Sequence, residues 1–166
     1  MATLIIPSAE YEKSYREAFA ETQNEDRLDF NGTESFEEFV SRLVGYKDGR
    51  NLPNGFVPES VFWLVYDGEF IGRVSIRHKL TEHLREIGGH IGYKIRPSKR
   101  RRGYGTLILS LALKEARALG LKRVLITCDE TNIASRKVIG RNGGALEDKT
   151  FIGNSKPNKL RFWIGL

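Results

Sequence analysis

Three consecutive arginines, Arg100, Arg101 and Arg102, run into Gly103-Tyr104-Gly105, between an alternating segment that ends near Ile95 and an apolar-periodic one. A strand that feeds a glycine-containing turn into a helix leaves several amides unpaired at the helix start, where the helix end contributes about half a positive charge. Glycine lets the backbone curl closely around an anion, and arginine supplies counter-charge, so the chemistry indicated is phosphate binding. The dinucleotide pattern G-x-G-x-x-G fails because Ile108 holds the third glycine position, and no Gly-Lys-Ser/Thr follows to make a P-loop. Taken by itself, the segment also reads as a solvated basic turn or a nucleic-acid patch.

The surrounding elements must position this turn. Tyr11, Tyr15, Ala18 and Phe19, and then Phe36, Phe39, Val40 and Leu43, recur at helical spacing, with a Gly/Asn/Asp/Pro-rich loop from about Gly45 to Pro58. Val61 to Tyr66 and Phe70 to Arg77 flank Asp67-Gly68, a dipeptide suited to a hairpin. Ile87 to Ile95 alternates: Ile91, Tyr93 and Ile95 point one way, while Gly88, His90, Gly92 and Lys94 point the other. A helix from Gly105 to Leu119, an apolar strand Val124 to Cys128, a helix that Asn132 caps and Gly143-Gly144 ends, and a strand Lys159 to Leu166 complete the order. The fold class expected is mixed α/β, with helices packed around one central sheet.

With 166 residues and 40% hydrophobic content, the chain is one domain's worth, residues 1–166, and at this length roughly 70% of the unfolded surface can be buried without disulfide or metal. The single Cys128 cannot bridge internally and reads as core. Apolar runs fall short of a membrane span and no basic segment precedes a signal-like stretch, so a cytoplasmic, non-membrane protein is expected. The net charge of +6 is unevenly spread. Lys94, Arg96, Lys99, Arg100, Arg101 and Arg102 form one cluster, whereas the first forty residues hold ten acids, Glu25 and Asp26 among them, against Lys13, Arg16 and Arg27.

Ile95-Arg96-Pro97-Ser98-Lys99-Arg100-Arg101-Arg102-Gly103-Tyr104-Gly105 resembles the V-x-P-x-x-R/Q-x-x-G-x-G/A motif of the GNAT superfamily of N-acetyltransferases, and Asn132-x-x-Ser135 resembles its N-x-x-A/S signature. The order of elements is similar too, and Gly88-Gly89-His90-Ile91-Gly92-Tyr93 looks like a bacterial group of predicted acetyltransferases. The resemblance implies a mostly antiparallel central sheet flanked by helices on both faces, and acetyl-CoA as cosubstrate without a metal. It also implies that the pantetheine arm pairs with backbone near Tyr93 and Ile95 and contacts Asn132. The pyrophosphate would lie on the turn from Arg100, Arg101 and Arg102 through Gly103, Tyr104, Gly105 and Thr106. Asn132 is otherwise a plain helix cap.

Amine acetylation needs an unprotonated nucleophile, and an alkylammonium has a pKa of about 10. His90, with glycines at its same-face neighbours, is the candidate base, and a hydrogen-bonded structural histidine is the competing reading. Many GNAT members protonate the departing thiolate with a tyrosine seven residues after the motif asparagine. Here that position is Ile139, which leaves Ser135, another tyrosine or an unassisted departure. The acidic first quarter suggests a cationic small-molecule or peptide amine as acceptor, unless those acids simply solvate two helices. A non-catalytic acyl-CoA-binding or sensory module is the alternative function, nucleic acid is the weaker partner, and Phe162-Trp163-Ile164 offers an edge for a homodimer.

Overall fold

Asp67 and Gly68 both adopt positive φ, 51° and 74°, and turn β2 (Glu59–Tyr66) into β3 (Glu69–Arg77) as the dipeptide predicts. The computed structural model describes residues 1–22 and 28–166, so Glu25, Asp26 and Arg27 of the acidic quarter lie outside the described residues. β1 (Thr3–Ile5) pairs with β2, and β4 (Ile91–Ile95) with β3, giving an antiparallel sheet in the order β1-β2-β3-β4. A second antiparallel sheet has the order β5-β7-β6, from β5 (Arg123–Asp129), β6 (Ala145–Thr150) and β7 (Lys159–Gly165).

The mixed α/β architecture expected is the one adopted, but its sheet is split. Among the described residues, one isolated bridge, Gly89 with Ile126, joins the halves. Gly88 and Gly89, at φ 108° and 62°, turn the chain before β4 begins, which is why the strand starts at Ile91 and not at Ile87. A side chain at Gly89 would put its Cβ 2.4 Å from the Leu125 carbonyl oxygen, so the junction requires glycine.

One helix holds the halves together. α4 (Tyr104–Ala118) buries Ile108, Leu109, Ala112 and Ala116 in a cluster shared with Val74, Ile76 and Ile91 of the first sheet and Val124, Ile126 and Phe162 of the second. Each such aliphatic side chain contributes about 1.5–3 kcal/mol on full burial. α5 (Ile133–Arg141) lies beside α4, with Val138 so close that a Cβ on Gly105 would stand 3.1 Å from it.

On the other face of the first sheet, α1 (Glu12–Ala20) and α2 (Phe36–Gly45) bury an aromatic cluster. Tyr15 stacks on Trp63 at 5.0 Å and meets Phe70 edge-on at 4.9 Å between ring centroids. A capping box between Ser35 and Glu38 starts α2.

Three elements had no sequence signal. β1 is three residues long, α3 (Glu82–Glu86) is a single short helix in a polar stretch, and β6 is an exposed edge strand whose Glu147, Asp148 and Lys149 mask any alternation. β7 lies between β5 and β6, so the expected dimer edge at Phe162-Trp163-Ile164 is corrected: its backbone is paired on both sides. No helix among the described residues is long and apolar enough to cross a membrane.

Candidate active site

Below the Gly89–Ile126 bridge, β4 and β5 part. His90 N–H donates to the Leu125 carbonyl at 2.7 Å, Gly88 N–H donates to Thr127 Oγ1 at 2.9 Å, and from there the strands diverge around a cleft of about 270 Å³. Strand parity shows that the cleft passes through the sheet. Ile91, Tyr93 and Ile126 line it from the side covered by α4 and α5, whereas Arg77, Gly92, Thr127 and Lys159 line it from the opposite side.

At the far end of β4 lies the basic turn. Arg101 and Gly103 are left-handed, at φ 59° and 85°, and α4 starts at Tyr104 without a side-chain cap. Left-handed residues in such a turn point successive amides into one concavity, and the uncapped amides of Tyr104, Gly105 and Thr106 add the helix end to it. Arg101 and Arg102 are exposed, and Arg100 Nε donates to the Ile95 carbonyl at 3.1 Å. The residues expected around a pyrophosphate are thus adjacent, and their donors and charge suit a polyanion.

A strap holds this turn to α1. Arg96 is only 7% exposed, and its Nε donates to Glu21 Oε1 at 2.7 Å. The same carboxylate accepts from Ser98 N–H and Ser98 Oγ–H, each at 3.0 Å. Burial pulls the Glu21 carboxyl up, but the Ser98 and Arg96 donors outweigh it and hold the group below the usual glutamate range. Lys99 pairs with Glu69. Arg96, Lys99 and Arg100 are thus engaged by the protein's own groups, which weakens the reading of the cluster as a nucleic-acid patch.

The Tyr93 hydroxyl donates to Ser135 Oγ at 3.3 Å inside the cleft. Burial pushes the Tyr93 phenol above its usual value, so it stays a protonated donor. Ser135 lies in the first turn of α5, where its N–H donates to Asn132 Oδ1 at 3.0 Å. Asn132 is exposed and caps the helix. Ile139 is fully buried against the cleft in the position where a tyrosine is customary.

The geometry of His90 favours the competing reading, a hydrogen-bonded structural histidine. It is 7% exposed, its Nδ1 accepts the Leu125 N–H at 2.9 Å, and its ring meets Trp163 edge-on at 6.3 Å. An accepting Nδ1 carries no proton, so the neutral ring keeps its proton on Nε2 and has no free lone pair to offer an amine. Burial first, then the charges of Arg85 and Arg77, push its pKa down to about 4. Gly88 and Gly92 do line the cleft, but His90 is not among the residues that line it. Cys128 is buried, and burial pushes its thiol up, which suits core packing and not nucleophilic attack.

The profile of the acetyltransferase (GNAT) domain family matches residues 11–145. The chain belongs to the GNAT acetyltransferase family. No curated protein sequence matches it significantly. Among solved structures, Mycobacterium smegmatis RimJ in complex with a CoA disulfide is similar over 99% of this chain and 81% of its own, at 22% identity and a TM-score of 0.69. The microcin self-immunity acetyltransferase MccE, solved with acetyl-CoA and AMP, covers 99% and 92%, at 17% identity and TM-score 0.68. The Vibrio cholerae spermidine/spermine N-acetyltransferase SpeG covers 99% and 95%, at 15% identity and TM-score 0.63. At these identities the likeness establishes a shared fold.

Within this GNAT fold, residues that sequence reasoning missed also line the cleft. Arg77 and Lys159 come from the ends of β3 and β7, and nothing in their local sequence marks them. The meeting of the Tyr93 hydroxyl with Ser135 had half a signal: alternation put Tyr93 on the apolar side, where α5 starts.

Proposed function

We propose that this single domain, residues 1–166, is an N-acetyltransferase that takes acetyl-CoA as cosubstrate and transfers its acetyl group directly to an amine. The observation that carries this reading is the pairing of a through-sheet cleft with an uncapped, left-handed, arginine-rich turn at the end of the same strand. Acetyl-CoA supplies an activated thioester. In this reading the amides and cations from Arg100 to Thr106 hold its phosphates, and the β4 backbone at Tyr93 and Ile95 together with Asn132 orients its pantetheine.

Ser135, with Tyr93 donating to it, delivers a proton to the departing thiolate. The relay from Tyr93 Oη–H to Ser135 Oγ needs no movement of either backbone, and the raised phenol pKa keeps it loaded with its proton at neutral pH. His90 is a structural residue of the sheet junction, so the acceptor's own proton leaves to solvent before attack. No covalent enzyme intermediate is required.

Thermal stabilisation by acetyl-CoA and by CoA, followed by thiol release with a panel of amines, tests the proposal. Stabilisation with amine-dependent thiol release supports it, whereas stabilisation without release under every amine points to an acyl-CoA sensor.

A further inference from the structure

Part of the acidic first quarter, which suggested a cationic acceptor, is spent on the fold. Glu17 and Glu21 pair with Arg96, Asp29 with Arg73, Glu34 with Arg42, and Glu12 with Arg16. Arg96, Arg73 and Arg42 are largely buried, whereas Glu12 and Arg16 form an exposed pair. The acceptor side of the cleft has the opposite character. Arg77 and Lys159 line it, and among the described residues lining it there is no carboxylate.

Arg77 stands too far from the basic turn to serve the cosubstrate's phosphates. Arg77 lies five residues along β3 from Gly72, the partner of Ile95, which places it about 17 Å from the strand end where the phosphate turn begins. Both cations are anchored from behind. Arg77 Nη1 donates to the carbonyls of Gly88 and Gly89 at 3.2 and 3.0 Å, and Glu59 stands 3.9 Å from its Nε, beyond hydrogen-bond reach. Lys159 pairs with Asp129 at the end of β5. The side chains are three-quarters or more buried, so their charge is poorly screened.

Resting on the acetyltransferase reading above, we infer that the acceptor is a small amine that also carries a carboxylate, held by Arg77 and Lys159 so that its nitrogen faces the split between β4 and β5. A guanidinium and an ammonium on opposite walls recognise a carboxylate by charge-assisted hydrogen bonds. With no histidine lone pair to take it, the acceptor sheds its first proton to solvent before it attacks. The step balances simply: the neutral nitrogen forms the amide bond as the thioester C–S bond breaks, the nitrogen sheds its second proton, and the thiolate takes one up.

The test compares matched acceptors at low ionic strength: β-alanine and aspartate, their neutral amides, aminoethyl phosphate, and spermidine. We expect kcat/KM for the carboxylates to exceed that for the amides by about tenfold to a hundredfold, the span of a charged hydrogen bond. K159M and R77M should collapse that ratio while the acetyl-CoA dissociation constant by calorimetry stays within twofold. An N-acetyl-β-alanine that raises the wild-type melting temperature in the presence of CoA, but not that of K159M, supports the same site without turnover. Preference for spermidine or for the amides overturns the inference and leaves the acetyltransferase reading intact. Preference for the phosphate assigns the anion site to phosphoamines and overturns the carboxylate. Acetyl-CoA binding with no turnover of any acceptor overturns both.

Discussion

The Tyr93 hydroxyl lies 3.3 Å from Ser135 Oγ across 42 positions of sequence, joining a strand of the first sheet to the first turn of a helix on the second. Ser135 makes its helix-cap contact through the backbone N–H, which leaves the hydroxyl for chemistry.

Replacing Ser135 by Ala keeps that cap and removes the proposed proton donor. The expected result is a drop in kcat of about a hundredfold, within the usual range for a positioned acid, with the acetyl-CoA dissociation constant unchanged. Tyr93→Phe should cost less, about threefold to tenfold, because the serine hydroxyl remains. Single-turnover kinetics separate the two, and full activity in Ser135→Ala would remove Ser135 from the mechanism.

The pH dependence of kcat/KM reports which group must lose a proton. With His90 Nδ1 already occupied and its pKa near 4, no limb near 6.5 is expected. The acid limb should instead follow the pKa of the amine, moving upward across a series of more basic acceptors. A limb fixed near 6.5 for every acceptor would restore a histidine base.

His90 bears on stability instead. Its folded pKa of about 4 lies below the unfolded value of 6.5, so the unfolded chain takes up a proton that the folded chain refuses. Stability is therefore full above about pH 6.5 and is lost as the pH falls toward 4, by roughly 2–4 kcal/mol. His90→Asn retains an acceptor for the Leu125 N–H without the titration. Urea melts from pH 7 to 4 should show a flatter stability curve for this variant than for the wild type.

Much of this arrangement was legible beforehand, and the rest depended on long-range geometry. The left-handed basic turn could be read because local chemistry dictates it: glycine at Gly103 permits the turn and arginines crowd the helix start. The hairpin at Asp67-Gly68 was equally local. The role of His90 was not, since alternation gives a side chain's face but not the Leu125 N–H waiting 35 positions away. The pairing within the acidic quarter was hidden for the same reason, because net charge cannot reveal that Glu21 is spent on Arg96 and Ser98, 75 and 77 positions downstream.

That strap yields a further expectation. Glu21→Gln weakens the contacts to Arg96 and Ser98 that fix the start of the phosphate turn, so acetyl-CoA should bind about fivefold to tenfold more weakly. Arg96, left buried with a poorer partner, should cost about 1–3 kcal/mol of stability. Because the Glu21 carboxyl titrates low in the folded protein, the wild type's advantage is present above the ordinary glutamate pKa and fades as the pH falls below it. Calorimetric titration at pH 7 measures the binding, and parallel melts at pH 7 and 3 measure the convergence of the two proteins.

The most direct test of the proposed reaction is a mass balance. Enzyme, acetyl-CoA labelled with ¹³C in the acetyl group and a mixture of amines are incubated, and thiol and N-acetylated products are quantified together by mass spectrometry. One labelled N-acetyl group per thiol released, lost in proportion when Ser135 is replaced, is the predicted result. Acetyl-CoA that binds but yields labelled amide no faster than in buffer would contradict it.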